Sequence, residues 1–101
     1  MVDAAIIRRV VTVNTEHGLH IRPCSLIAKA AQRYSSQVWV QKDQTRVDAR
    51  RVLELLTLAA GPGAELELQA AGSDAEAVID ELSRLFETNF IDAEPSPVPS
   101  A

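Results

Sequence analysis

The feature that most constrains the fold of this chain is the alternation of apolar and polar residues in two short stretches. Residues 37–41 read Gln-Val-Trp-Val-Gln, and residues 64–71 read Ala-Glu-Leu-Glu-Leu-Gln-Ala-Ala. A period of two is typical of a β-strand that buries one face and exposes the other. The inward-facing residues would be Val38, Val40, Leu66 and Leu68, with Trp39 on the opposite face. Strands of this kind favour an antiparallel sheet with helices on one face and a more open second face.

Two further stretches have strand-like sequences. Residues 5–13 are rich in isoleucine and valine, which favour strands, and Val11 and Val13 share one face there. A short strand is also predicted over residues 45–49, with Val47 pointing inward, after a hairpin turn at Asp43-Gln44. These two stretches complete a predicted sheet of four strands.

Three stretches show the spacing of apolar residues that is typical of amphipathic helices. They cover residues 22–33, residues 50–60, and a final stretch that ends between residues 86 and 88. Gly61-Pro62-Gly63 is predicted to end the second helix, and Ser73 to Glu76 has the capping-box pattern that begins a helix. The order is therefore β-α-β-β-α-β-α, which predicts an α+β fold with a four-stranded antiparallel sheet covered on one face by three helices.

A chain of 101 residues has room for one hydrophobic core and not for two. We assign residues 1–88 to a single domain, and we expect residues 89–101, which are rich in proline, to form a disordered C-terminal tail. The formal net charge of −4 disfavours a general nucleic-acid binder, which needs a basic surface to neutralise phosphates. We therefore expect no nucleic acid as a partner.

The single cysteine, Cys24, excludes an internal disulfide and a cysteine-based zinc site. No apolar run approaches the roughly 18 residues that a membrane-spanning helix needs. The apolar stretch near the N-terminus is interrupted by Arg8 and Arg9, which is unlike a secretory signal. We therefore expect a cytoplasmic protein that does not insert into membranes.

Residues 17–24 read His-Gly-Leu-His-Ile-Arg-Pro-Cys and lie between the first strand and the first helix. Gly18 permits a tight turn, and Pro23 suits the first position of a helix, where no backbone N–H is needed. His20 would lie just outside a helix N-terminus, where unpaired N–H groups and a partial positive charge favour an anion such as phosphate. A neutral imidazole is also a nucleophile near pH 7. A lone loop histidine would more often only pack near the helix start, but this pattern indicates a histidine that accepts a phosphoryl group.

The string Gly18-Leu19-His20-Ile21-Arg22-Pro23, with the chain length and the order of elements up to about Phe86, resembles the HPr family. HPr is the histidine-containing phosphocarrier of the bacterial phosphoenolpyruvate-dependent sugar phosphotransferase system. The resemblance implies the HPr fold, an open-faced β-sandwich. It also implies that His20 accepts a phosphoryl group on Nδ1 from an Enzyme I-like donor and passes it to an IIA-type acceptor. We expect a monomer without metal or cofactor that carries phosphoryl groups and is not a free-standing catalyst.

Arg22 is the second residue that we assign to the site, because its guanidinium can contact phosphate oxygens or an acidic partner. The alternative is a solvated arginine, but a cation in the first turn opposes the helix dipole unless an anion binds. Other basic residues that could form a patch for a protein partner are Lys29, Arg33, Arg50 and Arg51. Leu53 would project outward near His20. The expected partner-binding residues are therefore Arg50, Arg51, Val52 and Leu53.

Alignment of residues 52–58 with the HPr family places Arg51 where many members have a serine that a regulatory kinase phosphorylates. Arginine cannot accept phosphate from that kinase, so we expect this regulatory branch to be absent. The motif also suits a regulatory relative of HPr that signals through the same phosphohistidine. Such a relative could act in nitrogen regulation, in a dihydroxyacetone-kinase-type relay, or in transcriptional or kinase control. A structural domain with an inert histidine is the third alternative.

Three further residues have two interpretations each. His17 could pair with His20 at a metal, but no third ligand is evident, so we interpret it as a surface loop residue. Cys24 could be a redox-active thiol, and the favoured interpretation is a small buried residue, because family members commonly have alanine there. Trp39 could line a partner site on the open sheet face, but packing on neighbouring strands is favoured.

Overall fold

The computed structural model describes residues 5–91, which form four strands and three helices in the predicted order. The strands are β1 (Ile7–Thr12), β2 (Gln37–Lys42), β3 (Thr45–Asp48) and β4 (Glu65–Ala71). The helices are α1 (Ile21–Gln32), α2 (Val52–Leu56) and α3 (Ala75–Glu87). The predicted α+β architecture is therefore confirmed, and each predicted strand lies within about two residues of its observed bounds.

The four strands form one antiparallel sheet in the spatial order β1-β4-β2-β3. Val40 of β2 is paired with Leu68 of β4 on one side and with Val47 of β3 on the other. These three side chains are buried, as are Val11, Val38 and Leu66. The alternation in the sequence therefore identified the face of the sheet that packs into the core.

The helices cover this inner face and supply the rest of the core. α3 packs on the sheet, and α1 packs on α2 and α3. The apolar residues of α1 that follow the predicted helical spacing are buried: Cys24, Ile27, Ala28 and Ala31. The corresponding stripe of α3 is also buried and includes Ala75, Val78, Ile79, Leu82 and Phe86. Burial of such aliphatic side chains stabilises the fold by roughly 1.5–3 kcal/mol each.

The opposite face of the sheet carries a polar cluster. The side-chain amide of Gln69 is buried there and donates hydrogen bonds to Gln41 at 2.9 Å and Glu67 at 2.8 Å. The guanidinium of Arg46 lies 4.5 Å from the centre of the Trp39 ring, a cation–π distance. Trp39 therefore packs on a neighbouring strand, in agreement with the favoured interpretation.

The second helix is shorter than predicted, because it ends at Leu56 and not near residue 60. After Leu56 the backbone N–H groups of Thr57 and Leu58 bond to carbonyl groups three residues earlier, which tightens the chain into turns. Ala59 then adopts a left-handed φ of 49°, which stops the helix before Gly61-Pro62-Gly63. Because the helix ends early, the segment that follows it packs on the core and buries Leu58 and Ala60.

The capping box predicted at Ser73 to Glu76 is also wrong. The N-cap residue of α3 is Asp74, and its side chain makes no capping hydrogen bond. Its carboxylate instead accepts hydrogen bonds from the backbone N–H groups of Ser35 and Ser36, each at 2.9 Å, and from both serine hydroxyls. These bonds, the Ser36 hydroxyl foremost, lower the pKa of Asp74 to about 2. A long-range connection has replaced the local cap.

The hydrophobic core includes a residue beyond position 88, where the domain was predicted to end. Phe90 is buried, its ring centre lies 5.0 Å from that of Phe86, and its N–H donates to the carbonyl of Leu85 at 2.8 Å. The core therefore extends two residues past the predicted domain end. The prediction of a disordered tail falls mainly on residues 92–101, which lie outside the described residues.

Candidate functional site

The loop before α1 is held in shape by its own hydrogen bonds. The N–H of Gly18 donates to the carbonyl of Thr15 at 3.1 Å, and the Thr15 hydroxyl donates to the carbonyl of Gly18 at 2.7 Å. The N–H of His20 also donates to the carbonyl of Gly18 at 3.0 Å. Gly18 has a φ of 70°, a left-handed conformation that glycine adopts without strain.

Gly18 also lies directly against the segment that follows α2. A Cβ atom on Gly18 would lie 2.5 Å from the carbonyl oxygen of Ala60 and 2.9 Å from the Cα of Gly61. The next residue, Leu19, donates its N–H to the same Ala60 carbonyl at 2.9 Å. Sequence reasoning explained Gly18 by its turn alone and missed this contact, since nothing in the local sequence signals a partner about 40 residues away.

His20 is the N-cap residue of α1, with an extended backbone at φ −89° and ψ −169°. Its carbonyl accepts the N–H of Cys24 at 3.1 Å, the hydrogen bond that opens the helix. The imidazole makes no capping hydrogen bond, and the residue is exposed. A nucleophilic ring therefore projects from the helix end, where the macrodipole places about half a positive charge.

The first turn of α1 reinforces this positive end. It contains no acidic residue, and Arg22 is exposed at the second position of the helix. Pro23 occupies the third position and not the predicted first one, because the helix already begins at Ile21. The third position is also compatible with proline, since the first N–H groups of a helix have no intrahelical acceptor. The arrangement can bind an anionic group carried by His20.

His17 lies beside the acceptor histidine. The centres of the His17 and His20 rings are 5.9 Å apart, and their planes meet at 79°, an edge-to-face arrangement. Both residues are exposed. Among residues 5–91 there is no cluster of three or more His, Cys, Asp or Glu residues that could hold a metal ion.

Cys24 lies one turn into α1 but is fully buried. Its Sγ is 3.6 Å from the carbonyl oxygen of Leu19, and burial raises the pKa of the thiol to about 11. A thiol with such a pKa carries almost no reactive thiolate at neutral pH. These features support the interpretation of Cys24 as a packing residue.

Residues 7–88 match the family model described as "PTS HPr component phosphorylation site". The chain belongs to the HPr family of phosphocarrier proteins. The resemblance seen in the sequence motif is therefore confirmed over most of the chain.

Named relatives and solved structures give the same family. The chain is 38% identical over 82 residues to the phosphocarrier protein HPr of Treponema pallidum, covering 81% of this chain and 93% of that protein. It is 32% identical to the HPr-like protein Crh of Bacillus subtilis, covering 77% of this chain and 92% of Crh. The structure of HPr-C-His from Thermoanaerobacter tengcongensis superposes with a TM-score of 0.81 at 32% identity, covering 89% of this chain and 99% of that one.

In this HPr-family chain, the expected partner-binding residues do not all behave alike. Leu53 is 76% exposed, which agrees with the predicted outward projection, and Val52 is half-buried against the core. Arg51 is exposed at the N-cap of α2, with its Nε 3.6 Å from Asp48 and 3.9 Å from Glu54. An apolar side chain and a cation are thus presented on the same turn.

Arg50 is instead tied into the structure. Its guanidinium donates to the carbonyl of Tyr34 at 2.7 Å, and its own carbonyl accepts the side-chain amide of Gln32 at 2.9 Å. Gln32 and Tyr34 lie at the C-terminal end of α1, whereas His20 lies at its N-terminal end. A helix of 12 residues separates these ends by roughly 18 Å. The structure therefore places Arg50 away from His20.

The other predicted basic residues lie on or next to α1. Arg33 forms an ion pair with Glu81 of α3, and Lys29 is exposed.

Within the described part of the chain, no helix is both long and apolar enough to cross a membrane.

Proposed function

We propose that His20 is the phosphoryl acceptor of this chain. The observation that carries the proposal is the exposed imidazole of His20 at the N-cap of α1. The side chain makes no capping hydrogen bond with the helix, and the first turn of α1 contains no acidic residue. Family membership supports the phosphocarrier role. The donor that we propose is an Enzyme I-like protein charged by phosphoenolpyruvate, and the acceptors are IIA-type proteins or domains.

The proposed mechanism is in-line transfer between two histidines on docked proteins. The lone pair on Nδ1 of neutral His20 attacks the phosphorus of the donor phosphohistidine. The new N–P bond forms as the old one breaks, and the donor imidazole leaves with the released electron pair and takes up one proton. Phosphorylated His20 releases its Nε2 proton, so the number of protons is unchanged. The positive end of α1 and the guanidinium of Arg22 stabilise the negative phosphoryl group during transfer. This chain needs no metal or cofactor for that step.

We propose that the first turn of α2 contributes to partner docking. Leu53 offers an exposed apolar contact, Arg51 offers a cation beside it, and Val52 lies between them in the sequence and is half-buried against the core. An acidic and apolar partner face would complement this surface. Arg50 contributes indirectly, since its hydrogen bonds to Tyr34 and Asp48 hold the segment that precedes the helix.

A regulatory role through the same phosphohistidine is the second candidate function. It is favoured by the similarity to Crh of Bacillus subtilis, which is described as a catabolite repression HPr, and by the arginine at position 51. Transfer assays separate the two roles. Incubation with phosphoenolpyruvate and Enzyme I of the same organism tests acceptance, and addition of purified IIA-type proteins tests donation. Acceptance with donation supports the transport relay, and acceptance without any IIA acceptor favours the regulatory role.

We also propose that the chain works in the cytoplasm as a monomer. The small size of the chain and its acidic net charge of −4 are compatible with both statements. Sedimentation equilibrium tests the oligomeric state directly: a single species of 11.0 kDa is expected, and a dimer would contradict it.

A further inference from the structure

His17 is the aromatic neighbour of the proposed acceptor, and it has no role in the proposed mechanism of transfer. Its ring centre lies 5.9 Å from that of His20, with the planes at 79°. Aromatic rings attract one another edge-to-face at centre separations of about 4.5–7 Å. The two histidine rings lie within that range, and the angle between their planes is that of an edge-to-face pair.

The backbone on both sides of His17 is fixed, which gives its ring a defined origin. Before it, the Thr15 hydroxyl and carbonyl bond to Gly18. After it, Gly18 packs against Ala60 so closely that a Cβ atom would collide with the carbonyl oxygen. His17 therefore projects from a turn that cannot shift without breaking contacts to the segment after α2.

The acceptor ring, by contrast, is exposed to solvent. His20 is exposed, and its imidazole makes no capping hydrogen bond with α1. Within residues 5–91, the His17 ring is the one aromatic ring in contact with it. An exposed side chain samples several rotamers, and only some of them place its nitrogen in line with an incoming phosphoryl group.

We propose that His17 is a positioning residue for the phosphoryl acceptor. Its ring holds the His20 imidazole, by edge-to-face contact, in the orientation that is competent for in-line attack. This inference rests on the proposed function of His20 and adds a residue that acts through it. The contribution of such a ring contact corresponds to a change of about twofold to tenfold in the population of the competent orientation.

Four variants test the proposal. His17→Ala and His17→Asn remove the ring, His17→Phe keeps an aromatic ring without its nitrogens, and Glu16→Ala changes the exposed neighbour as a matched control. The rate of phosphorylation by Enzyme I is measured for each. We expect a loss of about twofold to tenfold for the ring-removing variants, recovery to near the wild-type rate for His17→Phe, and no change for Glu16→Ala.

A second readout does not depend on phosphorylation. NMR of the unphosphorylated protein measures the ring proton shifts of His20 and its χ1 coupling constants. We expect rotamer averaging in His17→Ala and His17→Asn and a single dominant rotamer in wild type and His17→Phe. Each folded variant is first checked by circular dichroism, and the pair of ring-removing variants covers the case in which one fails to fold.

The outcomes distinguish two failures. If wild type is not phosphorylated, the proposed function fails, and the role of His17 fails with it. If wild type is phosphorylated and both ring-removing variants react equally fast with unchanged His20 rotamers, only the inference about His17 is overturned. Slow transfer in His17→Phe with fast transfer in His17→Asn would also overturn it, because a polar group and not a ring would then be required.

Discussion

The backbone N–H of Leu19 donates a hydrogen bond to the carbonyl oxygen of Ala60 at 2.9 Å. This bond attaches the loop that carries His20 to the segment that follows α2. Gly18, the residue before Leu19, lies against the same carbonyl of Ala60. The Gly18 backbone is so close to this carbonyl that there is no space for a side chain. The position of the acceptor histidine therefore depends on a contact between two parts of the chain that are distant in sequence.

Substitution of Gly18 by alanine should destabilise the protein more than an equivalent change at another left-handed glycine. Gly63→Ala is the matched control, because Gly63 has a φ of 88° and open space around its Cβ position. We expect Gly63→Ala to lower the free energy of unfolding by about 1 kcal/mol through backbone strain. Gly18→Ala adds a collision with Ala60, so that the loss should reach roughly 2–4 kcal/mol. Urea denaturation measures both, and equal losses would contradict the close approach.

The hydrogen bonds between Asp74 and the serines predict a specific pH dependence. Because the pKa of Asp74 falls from 3.8 to about 2 in the folded state, its ionised form contributes stability above about pH 4. This contribution is lost as the pH falls towards 2. We expect Asp74→Asn to be less stable than wild type at pH 7, and the difference in free energy of unfolding to shrink between pH 4 and pH 2.

Urea denaturation at a series of pH values measures this difference. Glu76→Gln, a change at an exposed carboxylate in the first turn of the same helix, is the control. A wild-type advantage over Asp74→Asn that stays constant down to pH 2 would argue against the role of the carboxylate charge.

Cys24 should be unreactive in the folded protein. It is fully buried, and its pKa of about 11 leaves only about one part in a thousand as thiolate at pH 8. We expect a disulfide reagent to label the native protein far more slowly than the protein in urea. Equally rapid labelling in both conditions would instead support a redox-accessible thiol.

Arg51 should prevent phosphorylation by the kinase that modifies many HPr proteins. Arg51 is exposed at the N-cap of α2, and α2 itself contains no serine. We propose that this regulatory branch is absent, and we expect no acid-stable phosphate after incubation with the kinase and ATP. An HPr that carries the serine serves as the positive control. Phosphoserine detected on this chain by mass spectrometry would refute the proposal.

The sequence predicted the sheet well because strand and helix periodicities are local. Val38, Val40, Leu66 and Leu68 were assigned to the core from their spacing alone, and all four are buried. The predicted helix boundaries were wrong where contacts between residues distant in the sequence determine the structure. The end of α2 is set by burial of Ala60 beneath the His20 loop.

The start of α3 is governed in the same way, by the bonds from Asp74 to Ser35 and Ser36. Neither contact leaves a signal in a window of a few residues. For the site, the motif located His20 and Arg22, whereas the edge-to-face contact with His17 and the support of Gly18 by Ala60 required the folded chain.

The most direct test of the central claim is intact-mass analysis after incubation with phosphoenolpyruvate and purified Enzyme I from the same organism. If His20 is the phosphoryl acceptor, the wild-type protein gains one phosphoryl group and loses it after brief acid treatment, and the His20→Ala variant gains none. Acid lability distinguishes phosphohistidine from phosphoserine. No gain in the wild type, with Enzyme I shown to be active on another HPr, would contradict the assignment of His20, as would an equal gain in His20→Ala.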